Sequence, residues 1–129
     1  MPGFSFRFPV LLLLLVSVGV LAQPNDQQYP DVIDVQVTST GENRYRFEVT
    51  LSSPYDTPER YADAFRVKTV EGQTLGVREL LHHHANEQPF TRSLNNVEIP
   101  PGITDVIVEG RDQDHGYGGA VRRVAVPDR

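Results

Sequence analysis

The feature that most constrains this chain is a side-chain alternation of period two. It recurs in seven short segments, and no stretch shows a convincing helical period. Successive side chains of an extended strand point to opposite faces, so an apolar–polar alternation marks a ribbon with one face buried. The clearest case is Tyr45, Phe47, Val49 and Leu51, alternating with Arg46, Glu48 and Thr50. Before it, Ile33, Val35 and Val37 alternate with Asp34, Gln36 and Thr38, and the turn Thr40-Gly41-Glu42-Asn43 makes the two a hairpin. Tyr61–Val70, Thr74 to about His84, Phe90–Ile99, the segment around Val106 and Val108, and Val121–Val126 complete the set. The doubled pair Leu80-Leu81 predicts a bulge or strand end near Glu79, and Asn95-Asn96 predicts an irregularity in the fifth strand. A helix over Leu75–His84 is the weaker reading there, because the stretch lacks an N-cap and has a β-branched start.

Seven short strands with turn signals at regular spacing predict an all-β fold, a seven-stranded sandwich of the immunoglobulin or fibronectin type III kind. The Cys pair and core Trp of antibody domains are absent, so only the architecture is expected, and a small β-barrel is the alternative. The first 22 residues are of another character. Arg7 is their only charge, Val10–Ala22 is an unbroken run of Val, Leu, Ser, Gly and Ala, and Val20 and Ala22 suit a signal-peptidase site before Gln23. Pro9 and Arg7 cut the run short of the roughly 20 apolar residues that a membrane span wants. The expectation is therefore a cleaved signal peptide over residues 1–22, a polar leader over 23–30 and one β domain over 31–129, with a periplasmic or secreted product. No Cys lies near residue 22, which speaks against a lipid anchor there.

Beyond Ala22 the chain carries all 17 acidic residues and 11 of its 12 basic ones, for a net charge of −6 with His neutral. Nucleic-acid binding needs a basic patch and is not expected, nor is a membrane partner once the signal is removed. The absence of cysteine leaves the core to hold the domain.

Successive connections in a sandwich alternate between its ends. The first, third and fifth are tight turns, at Thr40–Asn43, Glu71–Gln73 and Pro100–Gly102. The second, fourth and sixth, Ser52–Arg60, His82–Pro89 and Asp112–Gly119, are longer and are predicted to meet at one end, where binding loops tend to sit. They hold all four histidines. His82 and His84 share a face of an extended segment and are candidate ligands for zinc or copper(II), with His115 from the sixth loop and Glu87 or Asp114 completing the set. The plainer reading is that these histidines are solvated or bonded to loop backbone. Arg92 is a candidate anion ligand or a brace for Glu87 or Asp114. Tyr55, Asp56 and Tyr117 are candidates for a recognition surface. His115-Gly-Tyr-Gly-Gly119 precedes no helix, so its glycines are read as positive-φ residues of a tight loop rather than a phosphate cradle. No Cys nucleophile, serine elbow or carboxylate pair points to catalysis.

His82-x-His84-x-x-Glu-Gln-Pro-Phe-Thr-Arg-Ser93, followed by His115-Gly-Tyr-Gly-Gly119, resembles a group of small exported bacterial proteins of unknown function. The resemblance runs from about Asp31 to Val126, and it implies an immunoglobulin-like sandwich and no activity. The expectation is a non-enzymatic binding module with a metal or small ligand, or a protein partner, at the three-loop end. The alternatives are a metal-dependent enzyme using the His cluster and a plain structural or adaptor domain.

Overall fold

The structure, a computed structural model, describes residues 26–127 together with Gly3 and Ser5. The expected signal segment, with its cleavage site before Gln23, otherwise lies outside the described residues. Seven strands follow one another: β1 (Asp31–Gly41), β2 (Arg44–Ser52), β3 (Ala62–Thr69), β4 (Thr74–Glu79), β5 (Phe90–Glu98), β6 (Asp105–Asp112) and β7 (Gly116–Ala125). They form a three-stranded sheet in the order β1-β2-β5 and a four-stranded sheet in the order β4-β3-β6-β7. Every pairing is antiparallel, and the described residues contain no α-helix.

The alternation in β2 explains why the sheets face each other. Tyr45, Phe47, Val49 and Leu51 are all but fully buried, against Phe65 and Val67 of β3, Phe90 and Val97 of β5, and Val106 and Val108 of β6. Each such side chain contributes about 1.5–3 kcal/mol by leaving water, which is how a chain without disulfides holds two sheets together.

The alternation misleads at the start of β1. The β1–β2 register slips between Val32 and Asp34, so Val32 enters the core while Ile33 is 38% exposed. At this slip Arg122 of β7 donates to the carbonyls of Val32 and Ile33, at 3.4 and 2.8 Å. Arg78 of β4 closes the opposite seam in the same way, donating to the Ser93 carbonyl of β5 at 2.9 Å. Both seams thus spend an arginine fork on backbone oxygens of the other sheet, a task that an ammonium serves less well.

Elsewhere the strand ends fall where the residues place them. β4 stops at Glu79, leaving Leu80 buried and Leu81 80% exposed. The fifth strand is irregular at Asn95-Asn96, where the register slips and Asn96 takes a φ of 62°. β7 departs from expectation, since it begins at Gly116 rather than Val121. The sixth connection is a short one, and Gly116–Gly119 belong to a strand.

Candidate functional site

The second, fourth and sixth connections do gather at one end, and hydrogen bonds show what holds them there. The Ser53 amide donates to Gln88 Oε1 at 2.7 Å, joining the second connection to the fourth. The Gln113 amide donates to the Tyr61 carbonyl at 3.0 Å, joining the second to the sixth. The centre of this arrangement is two buried carboxylates. Asp112, fully buried at the end of β6, accepts from Tyr55 Oη at 2.7 Å and Arg60 Nε at 3.2 Å. It also accepts from the amides of Asp114 and His115. Asp56 accepts from the amides of Ala62 and His84, both at 3.0 Å.

Burial pushes the Asp112 carboxyl up, but the bonds from Tyr55, from the His115 and Asp114 amides and from Arg60 outweigh it, and its pKa lies below the ordinary value. Tyr55 moves the other way. Burial, followed by the bond to Asp112 and the charges of Asp112 and Asp56, pushes its hydroxyl well above the usual range, so it stays a donor.

The chain's own leader occupies part of this end. Arg60 donates to the carbonyls of Gln27 and Gln28, and the Gln27 amide nitrogen donates to those of Tyr29 and Ser52. Tyr29 then lies over Gly118, and Pro30 over Gly110 and Gly119, at positions where a Cβ would overlap them. Gly118 and Gly119 of His115-Gly-Tyr-Gly-Gly119 thus make room for a crossing segment. Gly116 and Gly119 do have positive φ, as the residue type suggests, but within β7.

Of the predicted ligand residues, His82, His84 and Glu87 lie in the fourth connection near one another, and His115 lies against Tyr29. His82 and His84 come together, ring centroids 4.8 Å apart. His82 is exposed, whereas His84 is buried and stacks on Phe90 at 4.0 Å. His83 Nδ1 accepts from the Ala85 amide. His115 is exposed, and its ring meets the edge of Tyr29 at 6.0 Å. Glu87 is held by a two-pronged bond from Arg92, at 3.2 and 3.1 Å. Among the described residues no group of three or more His, Cys, Asp or Glu is placed to hold a metal ion. The four-residue set His82, His84, His115 and Glu87 is therefore not assembled. The second connection, with Tyr55, Asp56 and Arg60, ties itself to both of the others, and Arg92 has already taken Glu87. Tyr117 lies in β7 under Arg66, whose guanidinium carbon is 3.9 Å from the ring centre, and Asp114 enters the site through its backbone amide.

Sequence reasoning singled out Tyr55 but passed over Asp112, Arg60 and Tyr29. A signal for Asp112 was present, because it has the same parity as the inward-facing Val106 and Val108.

His84 carries a pH prediction. Burial, then the charges of Arg92 and His82, lower its pKa, while Asp56 and Glu87 pull the other way. Its Nδ1 is buried without a hydrogen-bond partner among the described residues. The folded pKa lies below the unfolded one, so the stability tied to neutral His84 is complete above the unfolded value and is lost as pH falls through it. Urea denaturation from about pH 7.5 down to about pH 5 should show a steeper loss in the wild type than in His84→Gln. Parallel loss in both would show that protonation of His84 is not opposed by the fold.

The fold and its gathered connections define a small all-β module, a sandwich with loops braced at one end by buried carboxylates. The chain is similar to a protein of Halomicrobium mukohataei named "Putative lipoprotein", 47% identical over 94 residues, which are 73% of this chain and 46% of that protein. It thus spans about half the length of the curated relative it matches. No family model matches the chain, and no solved structure matches it.

Proposed function

We propose that this chain is an exported, cell-envelope module of immunoglobulin or fibronectin type III-like architecture that binds a partner at its three-loop end and performs no catalysis. The observation that carries this reading is the bracing of the loops by Asp56 and Asp112. Buried carboxylates are costly unless fully bonded, and here they hold three connections in fixed relation, which favours recognition by a preorganised surface. Asp56, Asp112 and Tyr55, drawn inward there, are engaged in that bracing. Asp112 is held ionised and Tyr55 protonated, away from the pKa range that acid–base catalysis at neutral pH uses.

Export is supported by the Val10–Ala22 run and by the name of the Halomicrobium relative, a lipoprotein. This sequence has no cysteine to carry a lipid, so its reading is cleavage before Gln23, with the leader 23–30 and the domain 31–129 forming the product. The non-consecutive neighbours β2 and β5 in one sheet and β3 and β6 in the other, with the chain changing sheet after β2, β4 and β5, support the Greek-key architecture.

The test uses the full chain, expressed in an exporting host, with a photoreactive phenylalanine analogue at Glu59 or Asn86 in the loops or at Pro101 at the far end. The product should begin at Gln23 by intact mass. After illumination with cell-envelope extract, Glu59 and Asn86 should yield the same adduct and Pro101 none. Retention in the cytoplasm, or adducts independent of position, would overturn the reading.

A further inference from the structure

The outer face of the four-stranded sheet carries a depression of about 420 Å³ beside the loop end. Register accounts for it. Glu79 pairs with Ala64, Ala64 with Arg111, and Arg111 with Tyr117, so these four residues form one row across β4, β3, β6 and β7. The alanine in this row, short between longer neighbours, leaves the hollow. Arg66, which is not part of the lining, is paired with Glu109 and lies over the ring of the lining residue Tyr117. Exposed apolar surface borders the hollow, since Val77 is 44% and Leu81 80% exposed.

Its charge is unbalanced. Asp63 Oδ2 pairs with Arg111, but Asp63 Oδ1 is buried and has no hydrogen-bond partner among the described residues. Glu79 has no ion pair among them either. Among the lining residues two carboxylates and one guanidinium leave one negative charge, and the hollow also offers the ring of Tyr61 and the part of Tyr117 that Arg66 does not cover. Aliphatic surface, aromatic rings and an unsatisfied carboxylate together suit a cation on an apolar stem.

We infer that this depression takes a cationic side chain presented by a partner protein, arginine in preference to lysine. A planar guanidinium bonds two carboxylates at once and stacks on aromatic rings, whereas an ammonium is a point charge. The inference rests on the binding-module reading, since the hollow opens beside the three-loop end.

The experiment titrates full-length processed protein with Nα-acetyl-arginine methylamide and follows amide shifts by NMR. The lysine analogue and the citrulline analogue, a neutral isostere of arginine, serve as comparisons. A single side chain should bind with a Kd on the order of millimolar, moving the amides of Asp63, Val77, Glu79 and Tyr117. The lysine analogue should bind more weakly, and the citrulline analogue at least tenfold more weakly. Glu79→Gln, at an exposed strand position, should weaken the arginine probe several-fold with the rest of the spectrum unchanged. Asp63→Asn should weaken it tenfold or more, and an unfolded variant would be recognised by its spectrum. Equal response to citrulline, shifts centred elsewhere, or no saturable shift would each overturn the inference. If the probe fails while the Glu59 and Asn86 adducts persist, the cationic ligand is wrong and the binding module stands. If both fail, both readings fall.

Discussion

Asp112→Ala should destabilise the domain by about 3–5 kcal/mol, the cost of breaking a buried ion pair by removing one partner. The carboxylate is fully buried and accepts four hydrogen bonds, from Tyr55, Arg60 and the Asp114 and His115 amides. Its loss strands the Arg60 guanidinium, part-buried against the leader, and removes the shared anchor of the second and sixth connections. For a domain of this size the expected fall in Tm exceeds about 10 °C. Asp112→Asn should not rescue it, because half of its amide would turn a donor toward donors. Tyr55→Phe removes one neutral donor and should cost less, about 1–3 kcal/mol with the carboxylate left partly unmatched. The pH dependence has a definite sign. The folded pKa of Asp112 lies below its unfolded value, so its stabilisation is complete above that value, about 3.9, and is lost as pH falls through the folded pKa. Urea denaturation of the three variants at neutral pH and of the wild type into acid tests this. An Asp112→Ala loss under about 1 kcal/mol would show that the loops are held by something else.

Much of the fold was legible because β2 obeys its alternation and its neighbours follow. Tyr45 to Leu51 need only the pleat and a buried face, both of which are local properties. Ile33 was misread because the register of β1 slips there, at carbonyls bonded by Arg122, 89 residues away along the chain. Gly116–Gly119 were misread for a similar reason. Glycine beside glycine suggests a loop, but here it records that Tyr29 and Pro30 cross over the strand. At the loop end, the spacing His82-x-His84 did bring two rings together, because a two-residue repeat is a local geometry. The direction of His115 depends on Tyr29, and the pairing of Glu87 with Arg92 depends on how the fourth connection folds back. Convergence of loops follows from strand count, but which side chains meet there does not.

Gly119→Ala should destabilise the domain by about 2–4 kcal/mol, from two costs that can be separated. Gly119 has a φ of 79°, a region where a Cβ costs roughly 1–2 kcal/mol. Its added Cβ would also overlap the Pro30 carbonyl oxygen, backbone that moves only if the leader moves. Gly72→Ala isolates the first cost, because Gly72 has a φ of 102° and nothing near its absent Cβ. Gly118→Ala isolates the second, because the Gly118 Cβ would overlap the Tyr29 ring and its φ is not positive. Displacing that ring gives up the edge contact with His115 and loosens the bonds from Arg60 to the leader carbonyls. Endoproteinase Glu-C, which in phosphate buffer cuts after Asp as well as Glu, should therefore cleave after Asp26 in Gly118→Ala at least tenfold faster than in the wild type, with the sheets still folded. In a Tyr29→Ala background the cost of Gly118→Ala should nearly vanish, since residues in contact are not additive. An unchanged cleavage rate, or a Gly118→Ala cost that persists without the ring, would mean that the leader is not seated on these glycines.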